Sequence, residues 1–189
     1  MENKNIFDRL EAIALECGCY KAKVIVTEKI ETDRAFRDMC AMNSCGVYGK
    51  CWMCPPDVGD IDELMAKIRT YSYALVYQNV SELEDSFDFE GMVAAKKSSY
   101  KTQRQIRREC EKVGLPKVLY LGSGGCGVCE TCTKRDNLPC RFPELATPSL
   151  EAYGINVSQL AKAADMKYIN GQDTVTYFGA VLFSLDEEV

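Results

Sequence analysis

"SYALVYQNV", residues 72–80, is a short apolar run, and such a run reads as a buried strand. Working outward, helices flank it in sequence. "DIDELMAKIRTY", residues 60–71, sets Ile61, Leu64, Met65 and Ile68 at helical spacing, with acids in its first turn where the helix dipole favours them. On the other side, an acidic stretch over 81–90 leads into a longer helix through Val113, which Gly114 and Pro116 end. "KVLYLG", residues 117–122, is the next strand.

Further out, residues 5–17 form an amphipathic helix with Ile6, Leu10, Ile13 and Cys17 on one face, Asn5 as N-cap and Gly18 as stop. "YKAKVIVTEKI", residues 20–30, reads as a strand and "TDRAFRDMC", residues 32–40, as a short helix. Thr147-Pro148 opens a turn through Tyr153, with Thr147 as its cap, and Asn156 caps a helix over 156–166. "TVTYFGAVLFSL", residues 174–185, is the last strand.

Strands alternating with helices predict an α/β fold: a mainly parallel four-stranded sheet with flanking helices. No repeat or linker divides the chain, so one domain over 1–189 is expected, with cysteine-rich metal-binding loops at 40–56 and 122–143. Ligands gather beyond the carboxyl ends of parallel strands, which would bring both loops to the same edge.

Composition narrows the chemistry. The net charge of −5 disfavours wholesale nucleic-acid binding, and no segment approaches the roughly 18 apolar residues of a membrane span. The N-terminal segment is charged and lacks an apolar signal core, so a cytoplasmic location is expected. There are 11 Cys and no His. An odd thiol count in a reducing compartment is a poor disulfide framework. Without histidine there is no Cys–His dyad, no Ser–His–Asp triad and no mixed zinc site in this chain. A metal would be held mainly by thiolate, which selects iron–sulfur clusters, zinc or Cu(I).

Cys126, Cys129 and Cys132 follow one another at C-x2-C-x2-C spacing, and Cys140 lies seven residues beyond the last of them. Three close thiolates and one remote one suit a [4Fe–4S] cluster. Glycines 122, 124, 125 and 127 allow close backbone approach, and Lys134, Arg135 and Arg141 would offset cluster charge. A structural zinc site is the alternative, although zinc ligands usually come as two separated C-x2-C pairs.

Cys40, Cys45, Cys51 and Cys54 have the less diagnostic spacing C-x4-C-x5-C-x2-C. Four thiolates could hold a second cluster. Three could hold one with an open iron, able to take a small molecule. Zinc, or simple burial, is the alternative here too. Tyr48, Lys50, Trp52 and Tyr153 are candidates for lining a pocket beside the metal, or for core packing. Cys17, Cys19 and Cys110 read as small buried hydrophobes. Lys97, Lys101, Arg104, Arg108 and Lys112 share one helical face, either a dock for an acidic redox partner or a solvated surface.

The pattern C-x4-C-x2-YGK-x-W-x-CPP over 40–56, the C-x2-C-x2-C and "PCRFP" pattern over 126–143, and "PSLEAYGINV" at 148–157 together resemble a family of predicted metal-binding proteins, domain of unknown function 2284. The resemblance implies metal binding, anaerobic prokaryotic sources and no established reaction. Its matching cysteines are Cys40, Cys45, Cys54, Cys126, Cys129, Cys132 and Cys140, which leaves Cys51 aside. The function expected is an iron–sulfur protein with one or two [4Fe–4S] clusters, transferring electrons or serving a redox enzyme. Lys50, Tyr48, Trp52 and Arg141 would border the cofactor. The alternatives are an enzyme acting on a small molecule at an open iron, and a zinc-stabilised interaction module.

Overall fold

The computed structural model describes residues 2–186. Four strands, β1 (Lys21–Val26), β2 (Tyr73–Glu82), β3 (Lys117–Leu121) and β4 (Thr174–Ser184), form one sheet in the order β1-β2-β4-β3. Every neighbouring pair is antiparallel, which corrects the mainly parallel sheet expected from the sequence.

Among the described residues five α-helices, α1 (Glu2–Glu16), α2 (Arg34–Asp38), α3 (Ile61–Arg69), α4 (Phe89–Val113) and α5 (Val157–Ala163), accompany the sheet. On one face Leu10 and Ala14 of α1 and Ile106 and Cys110 of α4 pack against Leu75, Tyr77, Val181 and Phe183. On the other, Leu64 and Ile68 of α3 and Leu160 and Ala161 of α5 pack against Ala74, Val76, Ala180 and Leu182. The two central strands are therefore covered on both sides.

That coverage explains the misreading. A continuous apolar run reports burial on two faces and says nothing of strand sense. The alternation with helices carried real information as well. β2, α4 and β3 form a crossover between strands that run the same way, but β4 inserts between them, antiparallel to both. The last strand in sequence thus takes the central slot that a parallel pair would have closed.

Local signals set the helix ends. Asp60 caps α3, its side chain accepting from the N–H groups of Asp62 and Glu63. Asp88 caps α4 and Asn156 caps α5 in the same way. Gly114 ends α4 in the left-handed conformation. Two expectations shift. α1 begins before Asn5, which lies inside it, and the turn at 151–153 starts from Leu150 rather than from Thr147.

Candidate metal centre

The two thiol segments follow β1 and β3, edge strands that run in opposite directions. Parallel-sheet logic cannot bring them together; residues 147–156 do. Leu150 N–H donates to the Gly122 carbonyl at 2.9 Å, and Gly122 N–H donates to the Pro148 carbonyl at 2.9 Å, tying the strap to the root of the second loop. Asp33 N–H donates to the Gly154 carbonyl at 2.8 Å and Asn156 N–H to the Glu31 carbonyl at 3.0 Å, tying it to the approach to the first. Trp52 adds a direct clasp between the segments. Its Nε1–H donates to the Leu138 carbonyl at 3.0 Å, and Lys134, ion-paired with Asp57, lies 4.3 Å from the centre of its ring.

Two cavities result. The first, of about 520 Å³, is lined by Cys51, Cys126, Cys129, Cys132 and Cys140. Lys50, Lys96, Lys97 and Arg135 also line it, against a single acid, Glu130. One wall is α4, where the Tyr100 hydroxyl donates to the Gly125 carbonyl at 2.9 Å and Arg104 to the Gly127 carbonyl at 3.3 Å. The second cavity, of about 550 Å³, is lined by Cys40, Cys45 and Cys54 together with Tyr48 and Glu151. Among the described residues no lysine or arginine lines it. Val47 touches both cavities.

The eight thiols thus divide otherwise than their order in the chain suggests. Cys51 lines the cavity of the second loop while keeping a hydrogen bond with Cys54 of its own loop. A hydrogen bond from Cys54 holds the Cys51 thiol well below its ordinary range, helped by the N–H groups of Cys126 and Met53 and the thiol of Cys132, and opposed by burial. Cys54 is pushed up by giving that hydrogen bond, by burial and by the neighbouring Cys51, Cys45 and Cys40. Burial raises Cys126, offset by the N–H groups of Thr147, at 3.4 Å from its sulfur, and of Val128. Thr147 therefore serves a sulfur rather than a helix end. Burial also raises Cys40, and Glu151 and Cys45 add to it, while Arg37 acts the other way.

All 11 cysteines are free. As the side chains stand, no three Cys, Asp or Glu groups among the described residues are arranged to hold a metal ion. Loading one requires thiols to turn inward from the cavity walls. The donor chemistry fits a soft metal: sulfur on every side, some of it already accepting backbone N–H groups.

Of the other expected site residues, Lys50 and Trp52 line the first cavity and Tyr48 the second. Arg141 is exposed, donates to the Thr131 carbonyl at 3.4 Å and lines neither. Tyr153 belongs to the core. Cys19 and Cys110 are buried in the apolar layer between the sheet and helices α1 and α4, with Cys17 packed at its edge. Sequence reasoning missed Glu151. Burial holds its carboxyl above the usual carboxylate range, against hydrogen bonds from its own N–H and Ser149. The signal was present: it is the one acid in "PSLEAYGINV".

A cysteine-lined pair of cavities built by two loops and a strap defines a candidate thiolate metal centre. The sequence model of the family described as Predicted metal-binding protein (DUF2284) matches residues 23–183, and the chain belongs to that family. The match spans both thiol segments and the strap. Neither the comparison with curated proteins nor that with solved structures gave a match. Among the described residues no helix is long and apolar enough to cross a membrane.

Proposed function

We propose that the chain is an iron–sulfur protein whose first cavity holds a [4Fe–4S] cluster on Cys126, Cys129, Cys132 and Cys140, and that it passes electrons to a partner or serves a redox enzyme. The observation that carries this reading is the joint lining of one cavity of about 520 Å³ by those four thiols. Their spacing suits a cube better than a single tetrahedral ion. When bound, such a cluster supplies one-electron chemistry.

The chain's own residues then have assignable work. Lys50, Lys96, Lys97 and Arg135 offset negative charge at the mouth and suit an acidic redox partner. Thr147 N–H supports the Cys126 sulfur. Trp52 and Tyr100 keep water from the walls. Cys51 stands beside the set as a thiol in reserve, consistent with its place outside the family pattern. The second cavity supports a further reading, a metal with only three thiolates that a small molecule can approach. The observation in its favour is open space of about 550 Å³ next to Cys40, Cys45 and Cys54.

Anaerobic purification tests the proposal. Iron and acid-labile sulfide in near-equal amounts, broad visible absorption and a paramagnetic signal on reduction are expected. Cys132→Ser should remove most of that iron, while Cys51→Ser should keep it. A colourless protein with stoichiometric zinc overturns the iron reading.

A further inference from the structure

A smaller cavity, of about 90 Å³, lies beside the second thiol loop, between α4, β3 and the strap. Most of its wall comes from α4. Gln103, Arg104, Arg107, Arg108 and Glu111 recur there at intervals of three and four residues, so one stripe of the helix faces inward. Tyr120 of β3 and Thr147 of the strap close it, and Cys126 borders it. Three guanidinium groups thus share one small space with a single carboxylate.

That carboxylate is already engaged. Arg107 Nε donates to Glu111 at 3.0 Å. Arg107 also donates to the Glu144 carbonyl, and its guanidinium lies 4.6 Å from the centre of the Tyr120 ring. With 18% of its side chain exposed, it is a fixed positive floor rather than a solvated surface group. Arg104 is tied to the loop through the Gly127 carbonyl at 3.3 Å. Neither Arg104 nor Arg108 takes part in an ion pair among the described residues. Like charges four residues apart on a helix repel, and an anion between them relieves that repulsion.

A neutral group points the same way. Gln103 Nε2 is buried and has no hydrogen-bond partner among the described residues. Its amide is pressed against the root of the loop, since a Cβ on Gly122 would lie 2.5 Å from Nε2. A buried N–H left without an acceptor is costly, and in a native fold it calls for one. The unmatched groups of the stripe, Gln103 N–H and the guanidinium groups of Arg104 and Arg108, are all donors.

We infer that this cavity binds a small tetrahedral oxyanion with the chemistry of phosphate or sulfate. Arg104 and Arg108 hold it over the Arg107 floor, with Gln103 as a neutral donor. Guanidinium suits such a ligand, because its planar fork gives two parallel hydrogen bonds to an oxyanion. The volume is well below the roughly 300 Å³ of pockets that enclose drug-sized molecules, so the site takes the ion itself or the terminal group of a larger molecule. The assignment stands on the geometry of α4 and its neighbours and needs no metal.

Isothermal titration of the whole chain with inorganic phosphate, at ionic strength held constant with chloride, tests it. One saturable site is expected, with sulfate competing for it. Arg108 is exposed, so Arg108→Gln should fold normally and weaken phosphate by about tenfold. Lys101→Gln, on the same helix but outside the lining, should leave the affinity unchanged. Absence of saturable binding overturns the inference, and so does wild-type affinity in Arg108→Gln. An equal loss in Lys101→Gln also overturns it, because it marks diffuse attraction to a basic face. Acetate binding as tightly as phosphate rejects a tetrahedral ligand. Phenyl phosphate separates the two sources: tighter binding than the inorganic ion assigns the site to a phosphoryl group on a larger molecule, and weaker binding assigns it to the free ion.

Discussion

Gly127 stands at φ +68°, and a Cβ there would come within 2.7 Å of the Tyr100 ring. The loop needs this glycine twice, for its backbone conformation and for the close approach of α4. Gly127→Ala should cost about 1–3 kcal/mol. In a protein of this size each kcal/mol lowers the melting temperature by about 2–4 °C, readable by circular dichroism. Tyr100→Phe removes only the hydrogen bond to Gly125 and should cost about 1 kcal/mol. A melt unchanged in Gly127→Ala would mean the ring yields freely. At this scale the sequence was informative about residue type: glycines beside cysteines announced close backbone approach. What approaches was not legible, because Tyr100 comes from a helix whose side the local sequence does not name. Cys51 teaches the same lesson. Its spacing put it with Cys54, which its thiol does meet, but not with the second loop, whose cavity it also lines.

At the scale of elements, α4 couples the sheet to the thiol loop. Ala95, Ser99, Thr102, Ile106 and Cys110 form its buried stripe, while Tyr100 and Arg104 on its flank hold the carbonyls of Gly125 and Gly127. Its start depends on Asp88, which accepts Gly91 N–H at 2.7 Å and Glu84 N–H at 3.2 Å. Asp88→Ala should destabilise by about 0.5–2 kcal/mol. Fraying of the first turn should appear as faster amide exchange near Gly91 than near Ile106; equal exchange at both would refute the capping role. Helices and strands were largely legible, because capping side chains, glycine stops and apolar periodicity act within a few residues. The basic face of α4 remained ambiguous in sequence. Lys101, Arg108 and Lys112 are solvent-exposed, whereas Lys97 lines the first cavity and Arg104 bonds the loop beside it.

For the whole molecule, the two faces of the sheet have different chemistry. The α1 and α4 side buries thiols that no metal reading uses. Burial pushes Cys19 and Cys110 from an ordinary value of 9.0 up to about 12. The unfolded chain releases these protons from about pH 9 upward, while the folded protein keeps them until about pH 12. Stability is therefore intact below that window and falls through it, at about 1.4 kcal/mol per pH unit for each thiol. Denaturant midpoints should drop steeply over this range, and Cys110→Ala should flatten the slope. An identical slope in that variant would assign the alkaline loss to other groups, such as Tyr77, which burial also raises.

The sequence by itself determined the number of strands, most helix boundaries, the absence of histidine chemistry and the grouping of thiols into two segments. These follow from composition and from forces that act over one or two turns of chain. Only the tertiary structure decided that β4 enters between β2 and β3, that the sheet is antiparallel, that the strap over 147–156 draws the two loops together, and that the eight thiols divide between two cavities with Glu151 facing one of them. Burial on both faces leaves the same apolar imprint whichever way a strand runs, and a side chain's neighbours across space leave none at all in the local spacing.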